Sequence, residues 1–263
     1  MTRYEVPDHD IVGIRAANPG PFTLTGTNSW VIGRRPAWVV DPGPALPEHV
    51  DALCEEIERR GGLGGLALTH DHPDHAEAVP AVRERFPGAP FAAVRGEADI
   101  PLSDRAQFGP LEAVSTPGHA PDHVAFVAQN VALTGDAVLG EGSVFIYPDP
   151  GALAGYLEGL RRLRERDLTV LAPGHGPLVS DAQAKLEEYI AHRLERERRL
   201  LAALEAGRRS VSDLLDEVWD DAPAPLRPAA ALTLAAHLDK LEGEGRLPDG
   251  VERPRGWGTG ASF

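Results

Sequence analysis

The most informative part of this chain is the stretch Thr69-His70-Asp71-His72-Pro73-Asp74-His75. It directly follows the apolar run LGGLAL at residues 63–68, which predicts a short buried strand. Five of its seven residues are His or Asp, although the whole chain of 263 residues has only 10 His. Neutral imidazole and carboxylate are the ligands that suit Zn²⁺ and related divalent ions. We therefore interpret the stretch as a metal-binding loop rather than as a polar loop that contains histidines by chance.

The order of the ligand-type residues within this loop predicts two metal positions. Because side chains alternate along an extended chain, His70 and His72 point the same way and can meet one ion. Pro73 turns the chain, so that Asp74 and His75 can face a second ion beside the first.

Three further polar residues follow apolar runs later in the chain. His119 lies in STPGHAPDH, Asp136 in ALTGDAVLG and His175 in LAPGHGP. Each follows a predicted strand on a glycine-containing loop, where the backbone can bend side chains toward a common point. One His after a strand is more often structural than ligating, but together with the loop at 69–75 these positions predict one shared centre.

This order of residues resembles that of the metallo-β-lactamase-fold hydrolases. The resemblance covers about residues 11–180 and implies an α/β fold, an αββα sandwich with a two-metal site at one edge. Five elements mark that family in sequence, and all five stand here in order: an early Asp (Asp41 in WVVDPG), HxHxDH (residues 70–75), a His (His119), an Asp (Asp136) and a final His (His175).

The resemblance also implies a role for each residue. Asp41 would support the ligand loop, as carboxylates behind ligating histidines do. The expected cofactors are two Zn²⁺, although the same ligands accept Mn, Co or Fe. The ligands implied are His70, His72 and His119 for metal one and Asp74, His75 and His175 for metal two, with Asp136 bridging the pair.

Two adjacent divalent ions imply a hydrolytic mechanism. They lower the pKa of a shared water and stabilise the charge that develops on the attacked group. The bridging hydroxide would attack an electrophilic carbonyl or phosphorus, and Asp74 could orient it. His123, four residues after His119, is a candidate proton donor to the leaving group; the alternative is a histidine that only hydrogen-bonds to its surroundings.

The first 180 residues have the sequence pattern of a layered α/β domain. Short apolar runs, among them PFTL at residues 21–24, alternate with helical patterns such as residues 46–60 and about 150–166. Strands that alternate with helices are typical of an α/β fold rather than of an all-β sandwich or a helical bundle.

After residue 180 the sequence pattern becomes mainly helical. Helices are predicted at 181–206, 210–218 and about 226–242, and the Gly/Pro-rich residues 243–257 could form a small β-wing. Two helices followed by a wing are the order of a winged-helix module. We therefore place a domain boundary near residue 205, which gives a metallo-β-lactamase-fold catalytic domain, 1–205, and a winged-helix-like C-terminal domain, 206–263.

Within the family, the resemblance narrows to one subgroup. The antibiotic-degrading lactamases of two classes use a Cys ligand, whereas the one Cys here, Cys54, lies on a predicted helix. The segments LAPGHGPLV and YIAHRLERERRLL resemble a subgroup that includes a mitochondrial endoribonuclease and fungal polyketide thioesterases. Two activities therefore remain open: hydrolysis of an ester or thioester of a small acyl substrate, and cleavage of single-stranded RNA.

Charge favours the acyl substrate over RNA. The formal net charge is −14; residues 1–181 carry 14 basic and 25 acidic side chains, and residues 207–263 carry 7 basic and 10 acidic. Proteins that hold nucleic acid draw on clustered positive charge, which the C-terminal region lacks. Two arginine clusters, 161–166 and 196–199, are interleaved with Glu, which favours a solvated helix face. Ester or thioester hydrolysis is the preferred hypothesis, and RNA cleavage is the alternative.

Partners and location follow from what the sequence lacks. No run of 18 apolar residues occurs, so no membrane partner is expected. The N-terminal residues show no secretory signal, so we expect a cytoplasmic protein. Apolar residues of the C-terminal region, among them Leu214, Trp219 and Leu232, could form its own core or pair two copies of the chain, which makes a homodimer a hypothesis.

Overall fold

The protein is described by a computed structural model for residues 2–254. Its sheets contain twelve strands: β1 Thr2–Glu5, β2 Ile11–Arg15, β3 Asn28–Ile32, β4 Ala37–Val40, β5 Leu63–Ala67, β6 Phe91–Ala93, β7 Ile100–Pro101, β8 Gln107–Phe108, β9 Leu111–Ser115, β10 Val124–Ala128, β11 Val131–Gly135 and β12 Val170–Pro173. Its α-helices are α1 Pro47–Arg59, α2 Pro73–Ala76, α3 Val79–Arg85, α4 Ala152–Arg164, α5 Ala182–Glu205, α6 Val211–Val218 and α7 Arg227–Gly243.

The strands form two sheets that pack face to face between helices. One sheet runs in the order β1 to β7, and the other in the order β12-β11-β10-β9-β8. Alternation along each strand sends one residue to the space between the sheets and the next to the outer helices. Trp30 and Phe126 lie between the sheets, whereas their neighbours Val31 and Ala125 face the helices.

Each sheet therefore has a helix layer on its outer face. Leu53 and Ile57 of α1 pack on the first sheet, and Leu157 of α4 and Leu186 of α5 pack on the second. The order of the layers is helix, sheet, sheet, helix, which confirms the predicted αββα sandwich.

Strand direction positions the functional loops at one edge. Strands β4 and β5 are parallel neighbours in the first sheet, and β11 and β12 are parallel neighbours in the second. Parallel strands end at the same edge of a sheet, where ligand sites form outside their carboxyl ends. The loops after these four strands, and the loop after β9, contain all the predicted ligand residues.

The C-terminal helices continue from the catalytic fold through α5. The second half of α5 contributes Leu200 and Leu204 to a cluster that also holds Leu214 of α6 and Leu234 and Leu238 of α7. Helix α6 begins after Ser210, whose side chain accepts a hydrogen bond from the backbone N–H of Asp213. The domain boundary near residue 205 stays a prediction, because α5 packs on both regions.

Some local predictions are wrong. Residues 21–24 form a turn closed by a bridge between Gly20 and Leu24, since the strand needs a partner that the loop does not reach. Residues 244–254 contain no strand, and the rest of the predicted wing, 255–257, lies outside the described residues. Leu194, which its spacing places on the buried stripe of α5, is 42% exposed.

The apolar side chains of the C-terminal region are used inside the chain. Leu214, Trp219 and Leu234 are buried in the cluster that α5, α6 and α7 share, while Leu232 is partly exposed. A homodimer and a cytoplasmic location stay predictions. Across residues 2–254, every helix is too short or too polar to cross a membrane.

Candidate metal centre

The first group of converging side chains contains three histidines from both sheets. His70 and His72 lie in the loop after β5, and His119 lies in the loop after β9. The Nδ1 atom of His72 is 3.0 Å from Nε2 of His70 and 3.0 Å from Nε2 of His119. These three nitrogens lie within 4.8 Å of one another, close enough to share one ion.

A second group lies beside the first. Asp74 and His75 occupy the short helix α2, where Pro73 turns the chain, and His175 follows β12. The Nε2 atom of His175 is 3.2 Å from Oδ2 of Asp74 and 3.3 Å from Nε2 of His75. Two imidazole nitrogens and a carboxylate oxygen therefore face one point, as the sequence predicts.

Asp136 lies between the two groups. Its Oδ2 is 3.5 Å from Nε2 of His119 in the first group and 3.4 Å from Nε2 of His175 in the second. Its Oδ1 is 3.5 Å from Nε2 of His75 and is buried without a hydrogen-bond partner in the described chain. An unsatisfied, buried carboxylate oxygen is costly unless a cation meets it.

Asp41 fixes which ring nitrogen each neighbouring histidine presents. Its Oδ2 lies 2.9 Å from Nδ1 of His75 and accepts a hydrogen bond of 2.8 Å from the Thr69 hydroxyl. Because that hydroxyl donates to Asp41, its oxygen can accept from Nδ1 of His70, 3.0 Å away. Both histidines then carry a proton on Nδ1 and turn Nε2 toward the centre, the usual orientation of metal-ligating histidines.

Thr69 was not singled out by sequence reasoning, although it stands next to His70. Its backbone N–H also donates to Oδ1 of Asp41, at 2.7 Å. The sequence signal that could have indicated this role is a hydroxyl residue directly before the first His of the loop.

Burial and neighbouring charge divide the histidines into two types. Burial lowers the pKa of His119 to about 4 and lowers that of His70 well below its usual value. Burial also acts to lower the pKa of His75 and His175, but nearby carboxylates, Asp136 foremost, outweigh it. The pKa of His175 rises to about 9 and that of His75 rises well above its usual value.

The donor set fits divalent ions. Five imidazoles and two carboxylates converge, and the Asp136 carboxylate is almost fully buried. The pKa of Asp136 lies well below its usual range; burial acts to raise it, but His175 and His75 outweigh that effect. An ionised, buried carboxylate among imidazoles is the environment that suits ions such as Zn²⁺.

His123 lies next to the centre, but its ring is fully engaged. Its Nε2 accepts a hydrogen bond of 3.0 Å from the backbone N–H of Asp136, which leaves Nδ1 as a donor to the Thr116 hydroxyl at 2.8 Å. This geometry argues against the predicted role as a proton donor to a leaving group, because neither nitrogen is free to reach a substrate. The ring instead positions the backbone at Asp136.

Gly174 lets the backbone approach the centre closely. A β-carbon at this position would lie 2.7 Å from Oδ1 of Asp136 and 2.7 Å from Cε1 of His75. Only glycine fits, which explains why a Gly precedes His175.

A cavity of about 330 Å³ opens at the centre and extends to the C-terminal helices. Near the centre it is lined by His119 and Asp136, and its far wall includes Arg193 and Arg196 of α5. The wall between is largely apolar, with Phe22, Leu24, Leu139, Phe145 and Leu226 among its residues. The Phe145 ring also contacts the His119 ring, with centroids 4.9 Å apart. Sequence reasoning missed this cavity, because its residues come from distant parts of the chain.

Known proteins resemble this chain in fold and in sequence. A metallo-β-lactamase family protein of Thermus thermophilus has a TM-score of 0.71 with 23% identity, over 90% of this chain and 94% of that one. Lactamase-like protein adaB of Aspergillus niger is 31% identical over 254 residues, which cover 92% of this chain and 75% of adaB. This chain belongs to the metallo-β-lactamase superfamily of hydrolases.

Other comparisons refine the position of this metallo-β-lactamase-fold chain. A family model described as "Beta-lactamase associated winged helix domain" matches residues 210–257, which confirms the winged-helix assignment. The chain is 32% identical to an atrochrysone carboxyl ACP thioesterase of Aspergillus chevalieri, over 76% of this chain and 67% of the enzyme. It is 34% identical to lactamase-like protein notP of an Aspergillus species, but spans only 63% of that protein's length.

Proposed function

We propose that this chain is a zinc-dependent hydrolase with two metal ions that cleaves an ester or thioester of a small acyl substrate. The observation that carries the proposal is the cavity at His119 and Asp136, because its wall is mainly apolar and its volume, about 330 Å³, suits a small molecule. The likeness to a protein named as an acyl carrier protein thioesterase supports the same substrate class.

The residues that would hold the ions are those that the geometry groups. His70, His72 and His119 would hold one ion, Asp74, His75 and His175 would hold the second, and Asp136 would contact both. Bound divalent ions supply Lewis-acid chemistry, which lowers the pKa of water and stabilises negative charge on the attacked group.

The surrounding side chains would prepare this chemistry. The Asp74 side chain is 28% exposed, so its carboxylate can accept a hydrogen bond from an incoming water and orient it. Phe22 and Phe145 pack edge to face, with centroids 5.9 Å apart, and both line the cavity. Apolar rings at this position exclude bulk water from the acyl group.

The arginine clusters give little support to RNA binding. In the first cluster each guanidinium is paired: Arg161 with Glu158, Arg162 with Asp104, Arg164 with Glu187 and Arg166 with Glu112. In the second cluster the pairs are Arg196 with Asp221, Arg198 with Glu195 and Arg199 with Asp220. The carboxylates beside these arginines offset their positive charge and so lower the local potential that a polyanion would meet.

Parallel turnover assays test the proposal. The zinc-loaded protein is given N-acetylcysteamine thioesters and, separately, a labelled single-stranded RNA at low and physiological salt. We expect thioester cleavage that is lost in Asp136→Ala and kept in Asp71→Ala, because Asp71 is exposed on the same loop and belongs to neither ligand group. RNA cleavage at physiological salt that Asp136→Ala abolishes, without thioester cleavage, would overturn the proposal.

A further inference from the structure

We infer that the far wall of the cavity binds a carboxylate of the substrate, with Arg193 as its counter-ion. The inference rests on the proposed function and narrows its substrate class: thioesters or esters of acids that carry a second, free carboxylate. Arg193 then acts as the specificity-determining residue on the α5 side of the cavity.

Arg193 is a buried cation with incomplete protein partners. It is 2% exposed, and its Nη2 donates to the carbonyl of Val144. Its guanidinium carbon lies 5.7 Å from the centre of the Tyr156 ring, and its Nε is buried without a hydrogen-bond partner. Within residues 2–254, no carboxylate oxygen lies within 4.0 Å of this guanidinium.

The neighbouring cations are already neutralised, so Arg193 supplies the unbalanced charge. Arg196, one helical turn along, donates to both carboxylate oxygens of Asp221 at 2.6 Å. Lys240 of α7 pairs with Glu197 at 2.8 Å and with Glu244 at 2.7 Å. Arg193 is therefore the lining cation without a paired carboxylate among the described residues, since Glu141, which also lines the cavity, lies more than 4.0 Å from it.

The histidine beside it does not remove that charge. His192 also lines the cavity, and burial, followed by the charges of Arg193 and Arg196, lowers its pKa to about 4. It is therefore neutral at physiological pH and can donate one hydrogen bond. It adds no second positive charge.

A buried cation without a partner is destabilising, and chains keep one where it meets a ligand. The charge balance selects the ligand. One unpaired guanidinium matches a single carboxylate, whereas a phosphate dianion would leave one negative charge buried. Since the same cavity touches His119 and Asp136, one substrate can contact these residues and Arg193 together.

Matched thioester pairs test the inference. Each pair has the same chain length and differs only in a terminal carboxylate: succinyl with butyryl, glutaryl with pentanoyl, and adipyl with hexanoyl N-acetylcysteamine. We expect at least one pair in which the carboxylate-bearing thioester has a KM lower by about tenfold or more, since hydrogen bonds to charged groups are the strong ones. Equal KM values within all three pairs would overturn the inference while leaving thioester hydrolysis intact.

Variants locate the preference. In Arg193→Met, which keeps the length of the side chain, the KM of each carboxylate-bearing thioester should rise to that of its uncharged partner; Arg193→Lys should restore part of the difference. Arg199→Met is the matched control, because Arg199 lies on the same helix, pairs with Asp220 and does not line the cavity. A preference that survives in Arg193→Met, or that disappears in Arg199→Met, would contradict the assignment.

A binding measurement separates this inference from the proposed function. Glutarate is titrated into metal-chelated wild-type protein by calorimetry, with inorganic phosphate in a parallel titration. We expect binding of glutarate that Arg193→Met weakens by about tenfold or more. Undetectable glutarate binding, or tighter binding of phosphate, would overturn the inference, whether or not the protein hydrolyses thioesters.

Discussion

At the scale of single residues, Asp41 organises the centre without facing the ions. Its backbone has a φ of 54°, in the left-handed region that Asp and Asn tolerate better than most side chains. This conformation directs the carboxylate toward Thr69 and His75. The Asp41 side chain thereby orients two candidate ligands, His75 directly and His70 through the Thr69 hydroxyl.

The substitution Asp41→Asn should weaken metal binding by about 10- to 100-fold. Asn keeps the backbone conformation, but in either orientation of its amide the NH2 group replaces an oxygen that accepts, and so faces either the Thr69 backbone N–H or the Thr69 hydroxyl and His75. Competition with a chromophoric chelator measures the affinity. Asp71→Asn, on the same loop, should bind zinc as the wild type does; an unchanged affinity in Asp41→Asn would contradict this account of the Asp41 carboxylate.

The role of His123 can be separated from acid catalysis by the leaving group. If His123 protonated the leaving group, His123→Gln would lose about 10²–10⁴-fold on an alkyl ester and little on a p-nitrophenyl ester, which needs no proton. Since His123 instead holds the Asp136 backbone, we expect kcat to fall by the same factor on both esters. A loss confined to the alkyl ester would restore the catalytic role.

The convergence of the candidate ligand residues could be predicted from the sequence, whereas their environment could not. Each ligand follows an apolar run, so its place at a strand end can be read along the chain. The hydrogen bonds of the His123 ring depend on Thr116 and the Asp136 backbone. The Arg193 guanidinium contacts the Val144 carbonyl and no carboxylate among the described residues. Such contacts join distant segments and leave no local pattern in the sequence.

At the scale of elements, α5 ties the catalytic fold to the C-terminal helices. Its first half packs on the second sheet through Leu186 and Ile190, and its second half packs on α6 and α7 through Leu200 and Leu204. The helical spacing of apolar residues predicts this helix, because the apolar side chains of its first and second halves are both buried. It fails at Leu194, which lies between the two cores and is exposed.

The substitution Leu204→Ala should lower the free energy of unfolding by about 2–5 kcal/mol, because it leaves a cavity in the core that the three C-terminal helices share. Leu194→Ala is the matched control on the same helix and should change stability by no more than about 0.5 kcal/mol. Urea denaturation measures both. Similar losses in the two variants would show that α5 packs differently in solution.

At the scale of the whole molecule, stability should fall with acidity through buried histidines outside the centre. His49 is 1% exposed, and its Nε2 lies 2.9 Å from the Ser29 hydroxyl and 3.0 Å from the Pro42 carbonyl. Burial lowers its pKa to about 4. Between the unfolded value of about 6.5 and this folded value, the unfolded chain takes up a proton that the folded chain excludes, so stability is lost as the pH falls.

The variant His49→Gln should therefore have a shallower dependence of stability on pH. From pH 7 to pH 5, the metal-chelated wild type should lose roughly 2 kcal/mol more unfolding free energy than the variant, as the pKa values of about 6.5 and 4 require. Histidines of the metal centre are common to both proteins and cancel in the difference. An equal slope in the wild type and His49→Gln would refute the prediction.

Ions held by the converging side chains, as proposed, would cross-link the two sheets. His70, His72, Asp74 and His75 follow a strand of the first sheet, and His119, Asp136 and His175 follow strands of the second. Ions that bind only the folded chain stabilise it by about 4 kcal/mol when they are present at a thousandfold excess over their Kd. The concentration of free ion would thus determine how often the two sheets separate. Without metal, the chain would unfold more often and proteases would cleave it faster.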